Sequence, residues 1–299
     1  MEFFKRFGFL ILTNIMIMIT INIMLRIFGF DRYVTAYGLN LTALMGFCLI
    51  WGMAGSVISL LLSKTMAKMM MGVQEINGRG EFSNIYSSVA RLSKAAGIAM
   101  PEVGIYYSPE INAFATGPSK HSSLVAVSSG LLESMNEDEV EGVLAHEVSH
   151  IANGDMVTMT LIQGMVNAFG MFLARIFGFF IASALSSDDE DGKSSPSFWI
   201  QYIVTFILDI LFTILGSMVV AYFSRMREYK ADYGGAKLAG RAKMIAALEN
   251  LKRTFEPLDD RGASMASLKI SGAGGFLALF STHPPLEDRI KALKSVQIK

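Results

Sequence analysis

Residues 146–150 read His-Glu-Val-Ser-His, and three of them have the types and spacing to do chemistry. Side chains four apart on an α-helix lie one above the other on one face, so His146 and His150 can grip a single metal ion. Glu147 borders that face, where a carboxylate can take a proton from a metal-activated water. Zinc held by neutral imidazoles, with one coordination position open, is how proteins make hydroxide near neutral pH. The same five residues are also compatible with two unrelated histidines on an ordinary helix. Against that, the chain holds only four histidines, and two of them fall at this spacing around a Glu.

The flanking residues predict a helix that would position the triplet. Asn136 suits an N-cap, Glu139 stands at the capping-box position, and Glu137, Asp138, Glu139 and Glu141 load the early turns with negative charge, which suits the positive end of the helix dipole. Val140, Val143, Leu144 and Ile151 form a stripe for burial, and Gly154 offers a left-handed stop.

The rest of the chain is written for a membrane. Of 299 residues, 52% are hydrophobic and only 17% charged, with zero formal net charge. These values suit a membrane protein with a modest aqueous domain and give no reason to expect nucleic acid as a partner. The single cysteine, Cys48, lies inside an apolar run and excludes disulfides. Residues 7–30 and 39–62 are each long enough to cross a hydrocarbon core of about 30 Å. Lys5 and Arg6 precede the first run as they would in a signal peptide, but residues 26–31 lack a small-residue cleavage pattern, so it reads as a retained anchor. Residues 159–185 and 199–223 form a second hydrophobic hairpin around the acidic, Ser-rich loop 186–197. Each of its arms carries a charge. Arg175 and Asp209 stand at similar distances from the loop, roughly 16–18 Å along the helices, which predicts an ion pair between them. The alternative is that this hairpin packs on the aqueous domain with both charges wet. Lys5, Arg6, Lys64, Lys68, Arg225, Arg227 and Lys230 flank the spans on one side, so both termini and the segment 63–158 are expected in the cytoplasm.

Between the membrane segments, Ser83 is expected to cap a helix running through Gly97, with Ile85, Val89, Leu92 and Ala96 on one face. Short β-prone runs follow at 103–107, 113–116 and 124–127, before the His-Glu helix. Two imidazoles are too few for a stable zinc site. Past the last apolar run, Glu228 and Asp232 lie four apart on a continuing helix. A carboxylate from a second helix would complete a His₂Glu set, with Asp232 accepting from the free ring N–H of a ligating histidine. The same residues are compatible with a plain charged segment beside the membrane.

The chain resembles the HtpX family of membrane-bound zinc metalloproteases, relatives of the CAAX-prenyl processing proteases, nearly end to end. The resemblance rests on two N-terminal spans, the HExxH triplet continuing as Ile-Ala-Asn-Gly-Asp155, a hydrophobic hairpin, residues 224–232 (Ser-Arg-Met-Arg-Glu-Tyr-Lys-Ala-Asp) and residues 281–290 (Ser-Thr-His-Pro-Pro-Leu-Glu-Asp-Arg-Ile). It implies one Zn²⁺ per chain held by His146, His150 and Glu228, with Glu147 as the catalytic carboxylate. It further implies that Asn112, Ala113, Phe114 and Ala115 form a strand along the cleft that pairs with an extended substrate; an ordinary hairpin strand is the alternative. His283, held extended by two prolines, would lie near the site as an oxyanion donor, or else cap the helix that follows. Arg289 has three candidate partners, Asp288, Glu287 and Asp232, and the sequence does not choose. Residues 264–275, rich in Gly, Ser and Ala, read as a flap near the cleft.

The expected fold class is therefore α+β and mostly helical. It is an integral membrane protein with about four transmembrane helices and a cytoplasmic zincin-like (gluzincin) HExxH metalloprotease domain. The expected division is an N-terminal membrane hairpin over 1–77, a first protease segment over 78–158, the second hairpin over 159–223, and a second protease segment over 224–299. The family implies the bacterial cytoplasmic (inner) membrane, quality control and stress response, substrates that are membrane proteins or unfolded polypeptides, and membrane proteases or chaperones as partners. Three rivals are open at this stage. An intramembrane protease would bury HExxH in an apolar span, whereas acids precede it here and Asn-Gly-Asp follows. A prenyl-protein processing protease would use the same ligands. A non-catalytic zinc scaffold would want a fourth protein ligand, commonly cysteine.

Overall fold

Three helices among the described residues are long and apolar enough to cross a membrane: α1 (Leu41–Met71), α5 (Asp155–Leu185) and α6 (Phe198–Ala239). The protein is seen here as a computed structural model that describes residues 38–185, 198–255 and 279–296, with residues 16, 19–21, 23, 25–27, 29 and 34–35. Most of the expected first span, the loop 186–197 and the stretch 264–275 fall outside the described residues. Ahead of α1, the two-residue strands β1 (Val34–Thr35) and β2 (Gly38–Leu39) pair antiparallel.

The chain divides into two compact units, the first made of residues 1–59 and 160–220. Its helices meet through small residues, as membrane helices do where backbones must approach closely. A Cβ on Gly52 would sit 2.6 Å from the Ala168 backbone nitrogen. Phe206, Ile207 and Ile210 are exposed, as a lipid-facing surface would be. Arg175 Nη1 lies 3.5 Å from Asp209 Oδ1, and its guanidinium sits 5.2 Å from the centre of the Phe47 ring. Charges in a spanning helix are tolerated when paired, so Arg175→Ala and Asp209→Ala should each destabilise the protein, with a favourable coupling of about 0.5–3 kcal/mol in the double-mutant cycle. Strict additivity in detergent melting curves would show that the pair contributes nothing.

The second unit holds residues 60–159 and 221–299. Its sheet has the order β3-β4-β6-β5, from β3 (Gln74–Glu75), β4 (Glu102–Tyr106), β5 (Ala113–Ser119) and β6 (Ser122–Ser128). β4 and β6 run parallel, in register from Glu102↔Leu124 to Tyr106↔Ser128. The centre of a parallel pair is covered on both faces, which explains why β6 buries every residue from Ser123 to Ser128. One face packs on α2 (Ser83–Ala96) and α4 (Glu137–Asn153), through Ile85, Val89, Leu92, Val125, Leu144 and Val148. The other holds Tyr106, Leu124 and Ala126, with Phe114 against them. α2 ends as its sequence predicts, at Gly97 with φ +67°, but its N-cap is Phe82, without a side-chain cap, and Ser83 is the first helical residue. The short α3 (Ser129–Ser134) links the sheet to α4, α7 (Arg241–Phe255) packs on α4, and α8 (Leu286–Ser295) closes over α7 through Met244, Leu248, Ile290 and Leu293.

β5 is the end strand of this sheet, bonded to β6 on one side only. An edge strand keeps a row of backbone donors and acceptors for another chain.

Candidate metal centre

The helix α4 begins with the capping box read from its sequence. Asn136 Oδ1 accepts from the Glu139 N–H at 3.0 Å, and Glu139 Oε2 accepts from the Asn136 N–H at 3.0 Å. Such a cap contributes about 0.5–2 kcal/mol and fixes where the helix starts, hence which residues face inward. Gly154, with φ +73°, ends it, and α5 begins at the next residue. His146, Glu147 and His150 are thereby buried inside the unit, each no more than 9% exposed. The last turns of α6 come close to α4 because Gly234 and Gly235 leave room. A Cβ on Gly234 would stand 2.0 Å from Ser149 Oγ, and one on Gly235 would stand 3.1 Å from the His146 nitrogen. That approach delivers Glu228 and Asp232 to the histidines, and both are 1% exposed.

The resulting geometry is that of a cation site. Ligand atoms of His146, His150 and Glu228 all lie within 4.8 Å of one another. The two Nε2 atoms face each other at 3.0 Å. His146 Nδ1 lies 3.0 Å from Asp232 Oδ1, and His150 Nδ1 lies 2.7 Å from Asp155 Oδ2. Asp155 makes a hydrogen bond at His150 Nδ1, and Asp232 lies within ion-pair range of His146 Nδ1 without a well-formed hydrogen bond; a proton on each Nδ1 turns both Nε2 lone pairs inward. Two facing lone pairs at that distance need a proton or a metal cation between them. Two imidazoles on one tetrahedral zinc would place their nitrogens roughly 3.3 Å apart, close to what is seen. Glu228 faces the pair, with Oε1 3.3 Å from His150 Nε2 and Oε2 3.5 Å from His146 Nε2. Oε1 is buried and makes no well-formed hydrogen bond among the described residues, so it is an acceptor awaiting a partner.

Charge points the same way. Glu147, Asp155, Glu228 and Asp232 are all buried in this cluster; of the two guanidiniums near Glu228 among the described residues, Arg289 is buried with them and Arg227 stands 3.8 Å from Glu228 Oε1. Buried carboxylates persist only when paired or coordinated. Burial would raise the Glu228 carboxyl, but His146, His150 and His283 hold it far below the ordinary carboxylate range. Burial would likewise lower His150, but Asp155 and Glu228 outweigh it and push it up to about 9. The same carboxylates that favour a second proton on the ring without metal would hold a divalent cation at the Nε2 atoms in its place. The residues present fit a metal ion.

Asp155 is the one residue of this constellation that the sequence reading passed over. The available signal was a carboxylate directly after the helix-ending glycine, five residues past a ligand histidine. We predict that Asp155→Ala lowers metal affinity about 10–100-fold, the usual effect of removing a group that orients a ligand. Chelator competition would measure it, and unchanged affinity would mean that the bond does not hold the ring.

The remaining expected residues divide. Arg289 takes Asp232 as its partner, through Nε at 2.7 Å and Nη2 at 2.6 Å, in the two-pronged form favoured between guanidinium and carboxylate. His283 places Nδ1 2.9 Å from Glu228 Oε2. A cavity of about 800 Å³ collects His146, Glu147, Glu228 and His283, and Asn112 and Ala113 also line it. Phe114 turns to the far face of the sheet, its ring 5.7 Å from that of Tyr106. Ala115 pairs with Val125 and is not on the cavity wall. Of the four cleft-strand residues, Asn112 and Ala113 line the cavity and Phe114 and Ala115 do not.

An HExxH helix, a carboxylate delivered by a membrane-length helix and a cleft with an open strand edge define a class, the membrane-bound metalloproteases. Residues 80–297 match Peptidase family M48, and the chain belongs to that family. It is similar to the protein named Protease HtpX from Shewanella pealeana, 51% identical over 97% of this chain and 99% of the relative. A Protease HtpX homolog from Methylacidiphilum infernorum is 47% identical over 98% and 99%. The crystal structure of S. mikatae Ste24p shares the fold, with a TM-score of 0.60 and 18% identity. The match covers 97% of this chain and spans 66% of that longer one.

Proposed function

We propose that the protein is a zinc-dependent endopeptidase in which His146, His150 and Glu228 hold one Zn²⁺ and Glu147 is the general base. The observation that carries this is the convergence of the three ligand side chains within 4.8 Å, with His146 and Glu228 lining the same cavity as Glu147. Bound there, zinc would supply a Lewis acid that acidifies water and polarises the scissile carbonyl. The other steps belong to the chain. Glu147 takes the proton of the attacking water and passes it to the leaving amine. His283 keeps Nδ1 on Glu228, so donation to the carbonyl oxygen falls to Nε2 and requires the doubly protonated ring. Asp232 and Asp155 hold the imidazoles, and Arg289 holds Asp232. The free edge of β5, from Ala113 onward, pairs with the extended substrate backbone.

The substrates proposed are membrane proteins and unfolded polypeptides, taken at the cytoplasmic face of a bacterial inner membrane. Basic residues on that side of the spans support the orientation, and similarity to bacterial proteases supports the setting. The test is casein cleavage by detergent-purified protein. Chelation should abolish it and one equivalent of zinc should restore it. Cleavage that persists in metal-free protein would overturn the reading.

A further inference from the structure

The helix α6 presents three charged side chains on one face, Arg225, Glu228 and Asp232, spaced three and four apart. The segment 279–289 engages them in the same order. Arg225 Nη1 donates to the carbonyl oxygens of Leu279 at 3.2 Å and Ser281 at 2.6 Å. Glu228 Oε2 meets His283 Nδ1, and Asp232 receives both prongs of Arg289. Between these fixings the segment is stiff. Ser281 Oγ donates to the His283 carbonyl at 2.6 Å, and Pro284 and Pro285 lock their own φ angles.

We infer that Arg225 is a positioning residue, which pins the segment 279–283 to the ligand-bearing helix and so sets where His283 stands in the cavity. Two of the three fixings cannot be separated from the metal, because Glu228 faces both histidines and Asp232 lies against His146. Arg225 instead grips main-chain carbonyls one helical turn away. His283 is 63% exposed, so packing does little to place its ring, and the anchoring of its backbone matters more. This inference rests on the role given to His283 above. A catalytic donor displaced by about 1 Å can cost up to 100-fold in rate, and loss of one of three anchors is expected to cost on the order of 10-fold.

The test uses the full-length, zinc-loaded protein in detergent and the variant R225M, which keeps the aliphatic stem and removes the donors. Zinc content should be unchanged, kcat should fall on the order of 10-fold with KM within about 2-fold, and amide exchange at residues 279–283 should accelerate. R225K, one nitrogen with three donors, should restore much of the loss. Combined with H283A, R225M should add nothing further. Unchanged exchange at 279–283 would overturn the inference. So would loss of zinc in R225M, because Arg225 would then be supporting the fold. Should R225M fail to fold, R225Q is read in the same way. If H283A keeps full activity, the role of His283 fails by itself, and the exchange measurement alone decides whether Arg225 anchors the segment.

Discussion

Glu147→Gln is expected to lower kcat about 10²–10⁴-fold, the range for removal of a general acid–base group, with zinc content unchanged. Gln has nearly the shape of Glu, so the packing of α4 survives the change, and the capping box at Asn136 and Glu139 still fixes its register. Glu147 is 9% exposed and lines the cavity between the two histidines in sequence, the place from which a water proton can be taken. An amide cannot take that proton. The variant should therefore bind substrate with KM near the wild-type value and fail at the chemical step. Wild-type turnover in a zinc-loaded Glu147→Gln protein would assign the base to another residue.

Glu228→Ala should fail earlier, at metal binding itself. Glu228 is 1% exposed and its carboxylate faces His146, His150, His283 and Arg289 at once. Its loss removes one of three ligands, so affinity should fall by more than the roughly 100-fold upper range of an orienting residue. It also removes the Glu228 contacts of Arg289 and of the His283 ring, while Arg225 still holds the backbone of residues 279–281 to α6. Breaking a buried charged contact by removing one partner costs about 3–5 kcal/mol, so the metal-free variant should also melt earlier. Elemental analysis after gel filtration checks the first effect and thermal unfolding the second. Stoichiometric zinc in Glu228→Ala would show that the third ligand lies elsewhere.

What could be read from the sequence is what is local, or fixed by a helical ruler. The start and stop of α4 follow from Asn136, Glu139 and Gly154, all within a turn of the helix ends. Arg175 and Asp209 could be matched because two helices joined by a loop share a depth scale, and they stand 3.5 Å apart. Contacts decided by tertiary packing could not be read. Arg289 had three acids within reach of a sequence argument. The fold sends Glu287 to Lys252 at 2.6 Å and leaves Asp232 facing the guanidinium from another helix. Asp155 was missed because only the one-residue corner at Gly154 turns it back toward His150. β3 is two residues long and carries no period to detect, and the place of α7 on α4 is set by shape, not by a motif. The resemblance took Asn112, Ala113, Phe114 and Ala115 together as a cleft strand, without separating its two faces. The structure gives Ala113 to the site and Phe114 to the far side.

Zinc K-edge X-ray absorption on the detergent-purified protein tests the central claim most directly. The account predicts one zinc per chain with nitrogen and oxygen ligands only, at about 2.0–2.2 Å, two of them imidazole, and the same spectrum in Glu147→Gln. A sulfur ligand, a spectrum unaltered by Glu228→Ala, or no bound zinc in a preparation that still cleaves casein would contradict it.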